Sequence, residues 1–287
     1  MVAKLILVIG SYGQLALSFK KICPKSTKFI SQNEINLIDT SKINAILSRY
    51  EPKYILNFAA YNKVDDAERN EENILINSTA VKVISEYCCS SDIPLVHIST
   101  DYVFDGLRGD YSENDQTNPI NAYGKAKLKG ENFIQEICSD YAIIRTAWLY
   151  SNGENNFLNK IKNQFISSNS LKGASDIIGN PTSSDSLAQG VLAVLEKRNN
   201  KKLKSGIFHF ANKGKVTKFE FICEINKLLS NKLNKKEKPV LSVKNIDFNL
   251  EAKRPFDTSL NVSKFESEFD FIIPTWDKEL SRVIKEI

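Results

Sequence analysis

Short apolar runs alternate with amphipathic stretches along the first half of the chain. Residues 3–9 (AKLILVI) form a continuous apolar run that stops at Gly10, as expected of a parallel strand buried on both faces. Comparable runs recur at 28–31 (KFIS), 53–58 (KYILNF), 94–99 (PLVHIS), 141–145 (YAIIR) and 206–210 (GIFHF). Between them lie segments with helical periodicity at 17–22, 42–50, 73–89, 123–137 and 185–197, and a loop or short helix opens at 64–68. Strand and helix in regular alternation predict an α/β fold with a doubly wound parallel sheet. The pattern is less regular in the second half. It predicts helices at 156–166, 217–229 and 277–287, a strand at 171–176, a turn at 179–182 and a charged surface loop at 231–238, with no internal repeat.

Composition narrows the function. With 287 residues and 42% hydrophobic content, the chain can bury one substantial core or two modest ones. No run has the length of a membrane-spanning helix. Lys4 interrupts the first apolar run, which then ends in a glycine turn, so no secretory leader is expected. The net charge of +5 is mild. The lysine clusters at 197–204 and 227–238 read as solvated helix ends and loops without a nucleic-acid reader's aromatic pattern. Five cysteines, an odd number with Cys88 and Cys89 adjacent and no C-x-x-C, suggest neither a disulfide framework nor a zinc site. Reduced thiols and a cytoplasmic location fit best. The two histidines, His97 and His209, both lie in apolar runs and read as core residues, so a histidine triad or multi-histidine metal site is not expected.

Candidate chemistry gathers where strands end. Gly10, Gly13 and Ala16 follow the first run with G-x-x-G-x-x-A spacing. Glycines let a backbone approach a pyrophosphate, and a helix N-terminus offers free N–H groups; the plainer reading is a tight turn. At the end of the second run stand Ser31 and Gln32, without the acid that bonds the ribose 2′-hydroxyl in many NAD sites, so NADH versus NADPH is not written there. Asp39 precedes the helix at 42–50, either as its N-cap or as a contact near an adenine. The small residues Ala59 and Ala60, followed by Tyr61, would let a cofactor pass close to the third strand's end. Ser99, Thr100 and Asp101 close the fourth run, and Trp148 follows the fifth; ligands of open α/β sheets bind beyond these carboxyl ends. Tyr123 and Lys127 are four apart on a predicted helix and share one face. An adjacent ammonium would lower the phenol pKa from about 10 and allow proton exchange with a carbonyl or alcohol oxygen. The spacing equally describes an inward tyrosine beside a solvated lysine.

Taken together these segments resemble the extended short-chain dehydrogenase/reductases, in particular the branch that reduces 4-keto-6-deoxy nucleotide sugars. The resemblance rests on GSYGQLA at 10–16, NFAAYNKVDDAE at 57–68, STDYVFDG at 99–106 and YSENDQTNPINAYGKAKLKGE at 111–131. It continues in RTAWLYS at 145–151, NNF at 155–157, GNPTSSDSLA at 179–188 and RPFDTSL at 254–260. It implies a Rossmann-type domain at 1–153 plus roughly 171–212, and a smaller C-terminal substrate-binding domain at 154–170 plus 213–287. The implied activity is NAD(P)H-dependent reduction of the C4 keto group of a dTDP-4-keto-6-deoxy sugar, with NADPH or NADH as cofactor.

By the same resemblance Tyr123 is the proton donor, Lys127 holds the nicotinamide ribose, and Thr100 bonds the keto oxygen. Gly10, Gly13, Gln14 and Leu15 would meet the pyrophosphate, Ala59, Ala60 and Tyr61 the cofactor groove, and Asp39 the adenine end. Thr100, Asp101, Trp148 and Arg254 would contact the dTDP-sugar, with Arg254 at the diphosphate. Ser18 stands where some members carry a glutamate of a magnesium-bridged dimer, so no metal and a monomer or weak homodimer are expected. A dehydratase or epimerase on the same scaffold is the nearest rival, and Asp101 lacks the following glutamate a dehydratase would need. A non-catalytic regulatory subunit, as in a relative that serves methionine adenosyltransferase, is the rival from another class.

Overall fold

The computed structural model describes residues 5–200 and 205–287. The first two residues of the expected opening strand and the 201–204 part of the lysine cluster lie outside the described residues. From the N-terminus the chain forms β1 (Ile6–Ile9), α1 (Gln14–Lys20), β2 (Thr27–Ile30), α2 (Ile43–Tyr50) and β3 (Tyr54–Asn57). It continues through α3 (Glu72–Ile74), a π turn at Leu75–Thr79, α4 (Ala80–Ser90), β4 (Leu95–Thr100), α5 (Ala122–Ile137) and β5 (Tyr141–Thr146). Then come β6 (Leu149–Tyr150), α6 (Phe157–Ser167), β7 (Leu171–Ala174), β8 (Ile178–Gly179), β9 (Thr182–Ser183), α7 (Ser184–Asn200) and β10 (Gly206–His209). The chain ends with β11 (Val216–Thr217), α8 (Lys218–Leu233), β12 (Val240–Val243), α9 (Ser263–Phe269) and α10 (Trp276–Lys285).

Six strands build one all-parallel sheet in the order β10-β5-β4-β3-β1-β2. Alternation along each strand feeds two cores. Ile6 and Val8 of β1 face Phe19 and the α7 residues Leu187 and Val191, while Leu7 and Ile9 face α2 and α4 through Ile43, Leu47 and Ile84. Burying each such side chain contributes about 1.5–3 kcal/mol. The chain runs from β1 outward to β2 and then returns past β1 to β3. That reversal opens a crevice at the carboxyl ends of β1 and β3, where a doubly wound sheet takes its ligand.

A third apolar cluster lies off the sheet. Leu158, Ile161 and Phe165 of α6 pack there with Phe221, Ile225 and Leu229 of α8 and with Leu280 and Ile284 of α10. The strand expected at 171–176 joins this part, since β7 pairs with β12 and not with the main sheet. Phe265 and Phe269 of α9 instead pack on Phe208 and Phe210, beside the sheet. The helix expected at 73–89 holds a π turn because Asn77 is used sideways. Its Oδ1 accepts the Tyr61 N–H at 3.0 Å, and its Nδ2 donates to the Tyr61 carbonyl at 2.8 Å. The segment expected as a loop at 231–238 begins inside α8, and its far end is tied back by Asn226 through the Lys238 N–H at 3.0 Å.

Candidate active site

The glycine turn after β1 lines a cleft of about 250 Å³. Its walls are Gly10–Gly13, Ser31 and Gln32 from the end of β2, Asn36 and Leu37, and Ala59 and Ala60 from the end of β3. Gly10 has φ +99, and a Cβ there would come within 2.8 Å of the Ala59 backbone nitrogen, so only glycine lets the two strand ends approach this closely. The helix begins at Gln14, three residues earlier than the periodicity suggests, and no side chain caps it at Gly13. The first-turn N–H groups are therefore available to an anion. The Gln14 and Leu15 side chains turn elsewhere. Gln14 bonds Ser151 at 3.1 Å, and Leu15 is buried in the sheet core. This pre-formed, glycine-lined cradle fits a dinucleotide.

Of the expected cofactor residues, Gly10, Gly13, Ala59 and Ala60 line that cleft, while Gln14, Leu15, Asp39, Tyr61, Tyr123 and Lys127 do not. Asp39 does not cap α2; Ser41 donates to it at 2.6 Å and Lys42 pairs with it at 2.6 Å. Tyr61 is buried and donates its hydroxyl to Asp66.

Thr100 ends β4, and Tyr123 lies in the first turn of α5. Asn121 caps that helix, accepting from the Gly124 N–H at 2.8 Å. Thr100 Oγ1 accepts from the Tyr102 N–H at 3.2 Å and donates to Asp101 Oδ1 at 3.1 Å. The Thr100 hydroxyl also lies near the Tyr123 phenol, whose ionised form it favours. Lys127, one turn further along α5, is buried; its Nζ donates to the Ile98 carbonyl at 2.7 Å and lies 3.1 Å from His97 Nε2. Thr100 and Tyr123 thus lie together at the end of β4, with Lys127 one turn further along α5. The electrostatics correct one expectation. Burial pushes the Tyr123 phenol up to about 12, and Thr100 only partly offsets it. Lys127 does not offset this rise in the free protein, because its Nζ is turned to His97 and Ile98 of β4; burial drives the amine down to about 8, which still leaves it mostly protonated at pH 7. Both histidines are buried and neutral, held well below their ordinary range by desolvation.

Beyond Thr100 the site meets the off-sheet part. Asp101 is buried, accepts from Thr100 and from the Thr258 hydroxyl, and is pushed up to about 6 by desolvation. Trp148 has φ +44, a left-handed backbone that a bulky residue rarely adopts. Its indole lies against Gly179, where a Cβ would come within 2.6 Å of the ring. Lys218 Nζ lies 3.3 Å from the Trp148 ring centre and 4.4 Å from that of Phe157. Burial lowers it to about 7, and Asp101 pulls it back up while Arg254 pushes it down. Arg254 pairs with Asp65 at 2.6 Å. Lys218 thus stacks on Trp148 within the fields of Asp101 and Arg254.

Sequence reading missed Lys218, Thr258, Asp65 and the pair Asn57–His97. One signal for Lys218 was available. Thr217 and Glu220 form a capping box, which puts a lysine at the positive end of α8, where a cation is disfavoured. Among the described residues no group of three or more His, Cys, Asp or Glu could hold a metal ion, and no helix is long and apolar enough to cross a membrane. All five cysteines are free.

A family model described as the RmlD substrate binding domain matches residues 4–287. A dTDP-4-dehydrorhamnose reductase of Escherichia coli is 33% identical over 247 residues, 82% of this chain and 80% of the relative. A crystal structure of a dTDP-4-dehydrorhamnose reductase from Clostridium acetobutylicum is similar with a TM-score of 0.89 and 32% identity, covering 98% of each chain. That of a dTDP-4-dehydrorhamnose reductase from Bacillus anthracis, in complex with NADP, is similar with a TM-score of 0.90 and 27% identity, covering 99% of each chain.

Proposed function

The chain belongs to the RmlD substrate binding domain family, and from that premise we propose that it is an NAD(P)H-dependent dTDP-4-dehydrorhamnose reductase. It reduces the C4 keto group of dTDP-4-dehydro-L-rhamnose to give dTDP-L-rhamnose, a precursor for polysaccharide synthesis. The observation that carries this reading is Thr100 at the carboxyl end of β4 beside the Tyr123 phenol, with Lys127 one turn further along α5, on the same sheet whose glycine-lined cleft opens at the ends of β1 and β3. The bound dinucleotide, NADPH or NADH, would lie along Gly10, Gly13, Ala59 and Ala60, with backbone N–H groups of Gln14 and Leu15 at its pyrophosphate, and its reduced nicotinamide supplies the hydride.

The protein's own part is to hold the carbonyl and deliver a proton. Thr100 donates a hydrogen bond to the keto oxygen, which exchanges one acceptor, Asp101, for another. Tyr123 gives its phenolic proton to the same oxygen as negative charge develops there. A phenol raised by burial keeps that proton until it is needed. Lys127 stands ready to support the resulting phenolate. Trp148 and Asp101 flank the sugar, and Arg254 offers a planar fork to the diphosphate. Asp101 has no carboxylate next to it in the chain, which disfavours the dehydratase reading. The separate α6–α8–α10 core supports a distinct substrate-binding part, but not the expected bounds of 154–170 plus 213–287: β7 (Leu171–Ala174) joins that part through β12, and α9 (Ser263–Phe269) packs on the sheet of the cofactor-binding part. Free cysteines support a cytoplasmic enzyme. Ser18 stands where some relatives carry a glutamate, and it bonds Ser184 at 2.8 Å inside the fold; the chain is proposed to be a monomer or weak homodimer.

The test is oxidation of NADPH or NADH, followed at 340 nm, with dTDP-4-keto-6-deoxy-L-mannose. Tyr123→Phe is expected to lower kcat by roughly 10²–10⁴ while leaving the fold intact. Consumption of neither cofactor, or wild-type turnover in the variant, would remove the reading.

A further inference from the structure

Asn57 and His97 are register partners on β3 and β4, so their side chains leave the same face of the sheet side by side. Lys127 of α5 lies against them, and all three are at most 1% exposed. Burial at this depth requires each N–H to find an acceptor. The backbone N–H of Ala59 donates to Asn57 Oδ1 at 3.2 Å, which fixes the orientation of that amide. Its Nδ2, a donor, then faces His97 Nδ1 at 3.1 Å. Nδ1 has to accept, and the proton of the neutral ring has to be on Nε2. That Nε2–H points at Lys127 Nζ, 3.1 Å away, while Nζ itself donates to the Ile98 carbonyl at 2.7 Å. An ammonium here sets one N–H against another. An amine offers its lone pair to His97, and every contact from Asn57 to Ile98 then runs from donor to acceptor.

We propose that Asn57 and His97 form a positioning pair that controls the charge on Lys127, favouring the amine through the imidazole tautomer they lock. The other groups facing Lys127 do not cancel this. Glu131, one turn further along α5, favours the ammonium, but it is already paired with Arg145 of β5 at 2.7 Å and accepts from Ser99 of β4. Tyr123, one turn earlier, is a neutral phenol. Burial of the amine acts in the same direction as the locked tautomer. The consequence for turnover rests on the reductase reading. An ammonium at Lys127 supports the Tyr123 phenolate, so activity falls as Lys127 loses its proton, and the alkaline limb of kcat/KM reports that loss.

The experiment has two arms. The first needs no activity. The chain has only two histidines, so imidazole 15N spectra of the labelled protein resolve both. His209 Nδ1 faces the Tyr111 carbonyl at 2.9 Å, which makes it the Nδ1–H tautomer and an internal reference. His97 is expected to show the opposite, Nε2–H tautomer; two rings both protonated on Nδ1 would overturn the proposal. The second arm is the pH profile of two variants. Asn57→Asp accepts from Nδ1–H and so frees Nε2 to accept from an ammonium. His97→Gln, which adds no charge, can turn its amide oxygen to Nζ. Both are expected to move the alkaline limb up by about one pH unit. Movement in Asn57→Asp alone would mean that only the added charge matters, and would overturn the proposal, as would movement in neither. A protein with the expected tautomers that oxidises no NAD(P)H would keep this proposal and discard the reductase reading.

Discussion

At the scale of single residues, the site is a set of groups whose charged forms burial disfavours. Asp101 is pushed up to about 6, Lys218 down to about 7 and Tyr123 up to about 12, in each case chiefly by burial. Such tuning costs stability. An unfolded Lys218 has its ordinary value of 10.5, so between pH 7 and that value the unfolded chain binds a proton the folded one does not. The penalty is fully present below pH 7 and fades as pH rises towards the unfolded value. Lys218→Met removes it and also loses the contact with Trp148, worth about 1–2 kcal/mol. The variant is therefore expected to gain about 1–2 kcal/mol at pH 7, with the gain shrinking by pH 10, as read from urea unfolding at both pH values. Its KM for the dTDP-sugar is expected to rise about tenfold, because the cation between Asp101 and Arg254 is gone.

At the scale of elements, close backbone contacts set where the reacting groups point. Gly124 follows Tyr123, and a Cβ there would collide with the Tyr102 carbonyl and reach 3.0 Å from Pro119. Alanine is the better helix former by about 1 kcal/mol, but here the helix start would have to shift. Gly124→Ala is expected to cost about 1–3 kcal/mol in denaturant unfolding and to lower kcat with it, since Tyr123 moves with the helix. The central sheet strands β1, β3, β4 and β5 were legible because apolar residues dominate segments buried on both faces, the edge strand β2, with only Ile30 buried, less so, and Gly10 and Gly13 were legible as punctuation. The π turn at Leu75–Thr79 was not, because its residues keep a helical pattern while Asn77 spends its side chain on Tyr61. Tyr123 and Thr100 could be paired from motif order. The charge of Lys127 could not, since it depends on Asn57 and His97, which come together only through strand register. Lys218 likewise reaches Trp148 only after the off-sheet part has folded against the site.

At the scale of the whole molecule, the segment around Arg254 ties the two parts together over the site. The Ala252 N–H donates to Asp65 at 3.1 Å, Asn121 donates to the Lys253 carbonyl at 2.9 Å, and the Asp257 N–H donates to the Gly106 carbonyl at 2.9 Å. Thr258 donates to Asp101, and the Ile178 N–H donates to the Phe256 carbonyl at 2.6 Å, which links the same segment to β8. Arg254 is thus held on a strap anchored on both sides, with its guanidinium on the half-exposed Asp65. That ion pair alone is worth less than about 1 kcal/mol at such exposure, so its conservation of fold is minor and its orientation of the guanidinium is what matters for a diphosphate. Arg254→Ala is expected to raise KM for the dTDP-sugar about 10–100-fold with kcat within a few-fold, the pattern of lost uniform binding. Asp65→Asn separates the two roles. It removes the ion pair but leaves the guanidinium in place, so KM should change far less than in Arg254→Ala, and steady-state kinetics in low salt would show it. Equal losses in the two variants would mean that Arg254 only pins the strap and that the diphosphate is held elsewhere.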